Sequence, residues 1–402
     1  MIRFSCVSCG YEFQSEGIVY LCPVCKNAKN NGFQKGILSV KYEPKNNVKR
    51  NSMVEPDSFL PIAIQNSNSL KVGNTPLLEP TYLREEVGLP NLFIKNESLN
   101  PSGSLKDRAS LLIAEQAIFH NEHKIVLAST GNAGSAMACI SAAYGLKTVL
   151  FIPETAPKEK IAQAKFFGAS VIPIQGTYDD AYKLSIEFTE KFGGINRNTA
   201  YNPFTIEGKK TVSIELYNQL GFKAPDIIYI PAGDGVIYAA VCKGFIDLKQ
   251  EGLIDKLPQC ILVQAKGSDA IVRSWREKRD LVLDKTDSIA DSISVKSPAN
   301  AEMAIDYILK TNSWGVSISD EEILDSQKKL ATKAGIFVEP SAAAAWAGLE
   351  SDLRNKLINR DMNVVVLVTG SGFKDMNRMK ESNNGLMSCT NNISAVRDYL
   401  KS

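Results

Sequence analysis

Histidine is almost missing from this chain. Its only two, His120 and His123, share the charged stretch FHNEHK, and Ser371 lies outside any GxSxG elbow, so a Ser-His-Asp hydrolase is excluded. The pair reads as a solvated helix end. An excess of either charge is lacking too: 46 basic against 44 acidic residues leave a formal net charge of +2, with no Lys/Arg block to follow a nucleic-acid backbone. Nucleic acid is therefore not an expected partner. No apolar run approaches the length of a membrane span, and MIRFSCVSCGYEF has neither the basic start nor the apolar stretch of a secretory signal. The expectation is a soluble, cytoplasmic protein that does not engage a membrane. Long-period repeats and low-complexity tracts are absent.

At 402 residues, 44% of them hydrophobic, the chain can bury a sizeable core and divide into two or three domains. Four of its eight cysteines stand at Cys6, Cys9, Cys22 and Cys25, two CxxC pairs separated by twelve residues. That is zinc-ribbon spacing. Each pair can turn two thiolates toward one point, and two such knuckles make the closed sulfur set of a structural Zn²⁺. The alternative is four reduced surface cysteines. Residues 1–35 are thus expected as a ribbon-like segment, and the Asn/Lys-rich stretch from 29 to about 75 as a polar linker.

Beyond the linker the pattern becomes α/β. KIVLAST (124–130), LKTVLFIPE (146–154), GASVIPIQG (168–176), PDIIYIPAG (225–233), QCILVQAKG (259–267) and MNVVVLVTG (362–370) are short β-branched runs that end in turn residues. Helical-period segments such as AMACISAAYG, EKIAQAKFFG and DDAYKLSIEFTEKFG lie between several of them. This alternation predicts open, mostly parallel sheets with crossover helices, and places ligand chemistry just beyond the carboxyl ends of the strands.

Three of those turns are rich in glycine and small polar residues. Ser129, Thr130, Gly131 and Asn132 open a helix whose N–H groups can hold a carboxylate, although the same residues suit a plain capped turn. Gly233, Asp234, Gly235, Val236 and Ile237 form a second turn, a candidate phosphate cradle or an ordinary tight turn. It is no dinucleotide fingerprint, since the third glycine of GxGxxG falls at Tyr238, and it lacks a GK[ST] ending. Thr369 ends the last run with a hydroxyl. In SGSLKDR, Ser104 and Asp107 would form a capping box, leaving Lys106 in the first turn, where the helix dipole opposes a cation by roughly 0.3–1 kcal/mol.

Taken in order, SGSLKDR, STGN, the glycine turn after IP, NPFTIEGKKT (202–211), FVEPSAAA (338–345) and LVTGSGFKD (367–375) resemble the fold-type II (tryptophan synthase β-like) pyridoxal-phosphate enzymes, and among them the threonine synthases. The likeness spans roughly residues 70 to 380. It implies a two-domain α/β fold over residues 70–390, with a smaller mobile part at about 105–215 and a larger one formed by 70–104 and 216–390. It also implies that Lys106 bonds covalently to pyridoxal 5'-phosphate and moves protons on the substrate. Asn132 would meet the cofactor's phenolic oxygen, the loop from Gly233 through Asp234, Gly235 and Val236 to Ile237 its phosphate, and Thr369 its ring nitrogen. Ser129, Thr130 and Gly131 would hold the amino-acid carboxylate. A neutral lysine suits this work, because an ammonium is neither nucleophile nor base.

The chain departs from that pattern at several points. Asp234 and Val236 replace residues usual in the phosphate loop, GSL stands for GSF, and TGSG for TGHG. Thr205 stands where threonine synthases carry an arginine for the phosphate of O-phosphohomoserine, a contact of about 1.5–3 kcal/mol. Lys209, Lys210 and Arg108 are candidate substitutes. The resemblance therefore implies a lyase that turns O-phosphohomoserine and water into threonine and phosphate, or one that performs β-elimination or β-replacement on serine, threonine or O-phosphoserine. A non-catalytic pyridoxal-binding or zinc-ribbon interaction protein is the alternative of another class. The partners implied are a small amino-acid substrate and a second copy in a homodimer.

Overall fold

The computed structural model describes residues 1–28, 34–43, 48–65, 70–156, 158–282, 286–376 and 392–400. Parts of the expected linker (29–33 and 44–47), the end of the ribbon-like segment and residues 377–391 lie outside that set. Strands β1 (Ile2–Cys6), β2 (Glu12–Ser15) and β3 (Leu38–Val40) form an antiparallel sheet in the order β2-β1-β3. The last of these comes from within the stretch expected to be linker. Ser8 and Lys35 both reach Glu302, fastening this small sheet to a helix far along the chain.

A six-stranded sheet contains β4 (Leu77–Leu78), β5 (Leu92–Asn96), β10 (Ile227–Pro231), β11 (Gln259–Ala265), β12 (Gly315–Ile318) and β13 (Val364–Val368), in the order β12-β11-β10-β13-β5-β4. All its pairings are parallel except β4 with β5. A four-stranded parallel sheet, β8-β7-β6-β9, uses β6 (Lys124–Ala128), β7 (Lys147–Pro153), β8 (Ser170–Ile174) and β9 (Ile195–Asn196). All six β-branched runs are strands, and the architecture is the expected mixed α/β one.

Five of those runs lack polar alternation because both of their faces are buried, whereas β8, at the edge of its sheet, is exposed to half-buried throughout. Ile228, Ile230, Val365 and Leu367 face one core, whereas Ile227, Tyr229, Val364, Val366 and Val368 face another. In the smaller sheet Ile125 and Leu127 share a core with Phe4 and Leu38 of the N-terminal sheet, while Val126 and Ala128 face the opposite side. Among the described residues, no helix is long and apolar enough to cross a membrane.

Candidate active site

The helix Lys106–Phe119 starts beside the end of β13: Leu105 N–H donates to the Thr369 carbonyl at 2.9 Å, and Ser104 bridges Gly370. The expected capping box is not formed by Ser104, whose buried hydroxyl has no partner. Asp107 instead accepts from the Ser102 N–H at 2.7 Å and from the Ser102 hydroxyl. The chain arrives at the helix in an αR conformation at Leu105, so the serine two residues further back is the one that meets the carboxylate. Burial pushes Asp107 up to about 6, against the pull of those Ser102 hydrogen bonds.

Lys106 remains in the first turn, half-buried, and its Nζ makes no hydrogen bond or ion pair among the described residues. Burial lowers its pKa. Asp234 and Glu339 oppose that shift, and Arg197 reinforces it. The direction is the one a reactive amine needs, and burial is its largest cause. The helix is held close to its neighbour Phe204–Gln219 by Gly208, where an added Cβ would lie 2.8 Å from Ala109 Cα.

Ser129 ends β6 and accepts from the N–H groups of Gly131 (3.3 Å) and Gly134 (3.0 Å), capping the helix Asn132–Tyr144. Thr130 is half-buried and its hydroxyl makes no hydrogen bond among the described residues. The Asn132 amide donates to both oxygens of Glu339 at 3.0 Å and to Ser292 at 3.2 Å. Glu339 is buried and its pKa raised by that burial, against Asn132, Lys106, Lys374 and Ser292.

After β10, Gly235 adopts a φ of +88°, and Val236 begins the helix Val236–Gln250. A Cβ at Gly233 would sit 2.9 Å from Ile293 Cα, so the turn packs tightly against residues 293–295 and admits only glycine there. The Asp234 carboxylate accepts from the Val236 N–H at 2.9 Å, while Ile237 is buried in the first turn. Thr369 is buried at the end of β13, and its hydroxyl makes no hydrogen bond among the described residues. Thr205 is fully buried, with its hydroxyl donating to the Asn202 carbonyl at 2.8 Å.

A cavity of about 700 Å³ opens between the two parallel sheets, lined by Gly131, Asn132, Ser135, Glu339, Ser341 and Lys374 among others. Lys106, Thr369 and the turn at 233–237 are not among its lining residues. Lys374 spans the cavity, donating to Ser102 O (2.8 Å), Ser135 Oγ (3.0 Å) and Gln163 Oε1 (2.7 Å). Glu339 and Lys374 were given no role by the sequence, although FVEPSAAA and LVTGSGFKD both stood out.

The four cysteine sulfurs at positions 6, 9, 22 and 25 lie within 4.8 Å of one another. Three of the separations are 3.4 Å (Cys6–Cys25), 3.7 Å (Cys9–Cys22) and 3.8 Å (Cys9–Cys25). A tetrahedron built on a metal–sulfur bond of about 2.3 Å has edges of roughly 3.8 Å, so the set can hold a metal ion.

The family model described as pyridoxal-phosphate dependent enzyme matches residues 69–370. A threonine synthase of Methanocaldococcus jannaschii is 34% identical over 384 residues, covering 92% of each chain. One from Mycobacterium bovis is 35% identical over 308 residues, covering 76% of this chain and 83% of its own. Among solved structures, an L-serine ammonia-lyase from the fungus Rhizomucor miehei superposes with a TM-score of 0.68 at 24% identity, covering 79% of this chain and 99% of its own, a likeness of fold alone. This chain belongs to the pyridoxal-phosphate-dependent enzyme family, as a lyase of the threonine synthase type.

Proposed function

We propose that the chain converts O-phosphohomoserine and water into threonine and phosphate, with Lys106 as its proton-moving amine. The observation that carries this reading is the state of Lys106: an unpaired amine with a lowered pKa, at the start of a buried helix and between the carboxylates of Asp234 and Glu339. Relatives named threonine synthase at 33–35% identity over most of the chain support the substrate.

The residues present fit pyridoxal phosphate. The Lys106 amine and the Thr369 hydroxyl make no hydrogen bond among the described residues, and after Gly235 (φ +88°) the helix Val236–Gln250 presents its N-terminus, where N–H groups suit a phosphate. When bound, the cofactor supplies an electron sink that makes protons next to the amino-bearing carbon labile. Lys106 binds it and carries those protons at Nζ. Ser129, Thr130 and Gly131 hold the substrate carboxylate, and Asn132, aligned by Glu339, orients the cofactor ring. The Gly233, Asp234, Gly235, Val236 and Ile237 segment takes the phosphate, with Asp234 using one N–H itself. Closure of the smaller sheet over the cavity keeps water out until it is needed. The four cysteines hold a structural Zn²⁺.

Thr205 favours a second reading. Its hydroxyl is spent on its own helix turn, so it gives a substrate phosphate nothing, and β-elimination from serine, threonine or O-phosphoserine then becomes the competing chemistry. Two measurements decide. The purified protein should show a pyridoxal absorbance that borohydride fixes onto Lys106. Incubation with O-phosphohomoserine should release phosphate and threonine; release of 2-oxo acid from the other substrates, without turnover of O-phosphohomoserine, rejects threonine synthesis.

A further inference from the structure

Of the three cations considered as substitutes for an arginine at position 205, two are already committed. All five N–H groups of Arg108 are used on Glu97, Glu215, Thr75 and Thr211. Lys210 is paired with Glu207 at 2.6 Å and Asp247 at 2.7 Å. The third, Lys209, is 0% exposed, and its Nζ has no hydrogen-bond partner among the described residues.

A second unpaired cation accompanies it. Arg197 is also 0% exposed; Nη1 donates to Thr199 Oγ1 at 2.8 Å, while Nε and Nη2 have no hydrogen-bond partner among the described residues. It is placed by the end of β9, where its N–H donates to the Val126 carbonyl at 2.8 Å, and the Ala128 N–H donates to the neighbouring Asn198 side chain. Arg197 therefore stands beside the Ser129–Asn132 loop, on the smaller sheet. Lys209 lies in the second turn of Phe204–Gln219, and each of the pair lies within electrostatic reach of the other. Arg197 directly follows Asn196, whose carbonyl accepts from the Asn202 amide at 2.9 Å just before the helix that carries Lys209, and Gly208 packs that helix against Ala109 in the first turns of the Lys106 helix. Accordingly, Lys106 acts on Lys209 and Arg197 acts on Lys106.

Two buried cations in one neighbourhood, neither in an ion pair, are strongly unfavourable unless something negative joins them. Asp234 is the carboxylate that acts on both, and its side chain is bonded to the Val236 N–H. The phosphate cradle is built on the larger sheet with its own backbone donors, whereas Arg197 comes from the smaller sheet, next to the loop that takes the amino-acid end of the substrate.

We propose that Arg197 and Lys209 form an anion pocket for the oxyanion on the substrate's side chain, doing from two other positions what an arginine at 205 does in related enzymes. The substrate class is accordingly an α-amino acid whose side chain ends in phosphate or a similar oxyanion. This rests on the reading of the Lys106 site given above. Arg197 supplies a planar fork and Lys209 a point charge, together matching the geometry of a tetrahedral oxyanion.

The test uses pyridoxal-loaded protein and inorganic phosphate as the probe, measuring its binding by calorimetry, and compares kcat/KM for a phosphorylated and a neutral amino acid. Arg197→Gln and Lys209→Gln should each weaken phosphate binding by about tenfold or more. Each should lower kcat/KM for the phosphorylated substrate by a similar factor, with the neutral substrate little changed; Arg197→Lys should restore part of the loss. Bound pyridoxal should stay at the wild-type level. Unchanged phosphate binding overturns the proposal, as does an equal loss on both substrates. Loss of bound pyridoxal also overturns it, because the pair would then serve the cofactor's phosphate. Wild-type protein that takes up no pyridoxal defeats the reading of Lys106 instead, and phosphate binding that still depends on Arg197 would uphold the pocket.

Discussion

Arg108 and Arg197 are both buried guanidinium groups, and their surroundings differ. Arg108 meets two carboxylates, Glu97 and Glu215, with contacts of 2.6–2.7 Å, and Lys95 adds a further ammonium to Glu215 at 2.7 Å. Two positive and two negative groups close on themselves there. Arg197 makes one side-chain hydrogen bond among the described residues, to the Thr199 hydroxyl, and no ion pair. A balanced set is architecture, because its charges are satisfied whether or not anything binds. An unbalanced set is stable only to the extent that its cations give up protons or acquire an anion, so it marks a place for a ligand.

The balanced set should respond most strongly in stability. Glu215→Gln leaves Arg108 and Lys95 without their shared partner and should cost about 3–5 kcal/mol, read from chemical denaturation at neutral pH. Burial alone would push Glu215 up, but Arg108 and Lys95 hold it at about 2. Its folded pKa lies below the unfolded value of about 4.3, so the pair's contribution is present above that value and lost as pH falls through about 2. Wild type and variant should converge on acidification. A constant difference would break the assignment.

The unbalanced set should respond in activity. Lys106→Ala is expected to lower turnover on the order of 10³-fold and abolish the borohydride-stable pyridoxal label, while denaturation curves stay near wild type. A loss of activity that followed a loss of fold would erase the distinction between the two regions. Gly208→Ala probes their junction. The new methyl meets the helix carrying both Lys106 and Arg108, and should cost roughly 1–3 kcal/mol by overpacking, seen as a lower melting temperature.

Much of this was legible in the sequence, for physical reasons that differ by element. Runs such as VVVLV announce central parallel strands because both faces are buried, and glycine turns after them mark ligand positions because backbone must come close there. The cysteine spacing predicted a cluster because two knuckles constrain four sulfurs almost by themselves. Glu339 and Lys374 were not legible, since their parts depend on Asn132, Ser135 and Gln163 arriving from distant helices. Neither was the cap of the Lys106 helix: Ser104 had the right spacing, but the approach of the chain gave Asp107 to Ser102. Arg197 carries no local signature at all, and what distinguishes it from Arg108 is that no carboxylate among the described residues is paired with it.

The smallest expected effect is the one with an unusual sign. Lys209→Met removes an ammonium from a site where burial, then Arg197 and Lys106, already hold its pKa well below the ordinary range, against Asp234. No ion pair is broken, and a side chain of similar length fills the space, so without an anion present the protein should lose no stability and gain up to about 1 kcal/mol. The same substitution in the Glu207–Lys210–Asp247–Lys243 set, Lys210→Met, leaves two buried carboxylates to share the single ammonium of Lys243 and should destabilise. Melting curves of the two variants, one residue apart on the same helix, should therefore move in opposite directions or at least part by several degrees. If both fall together, Lys209 is as structural as its neighbour, and the contrast between paired and unpaired cations does not hold.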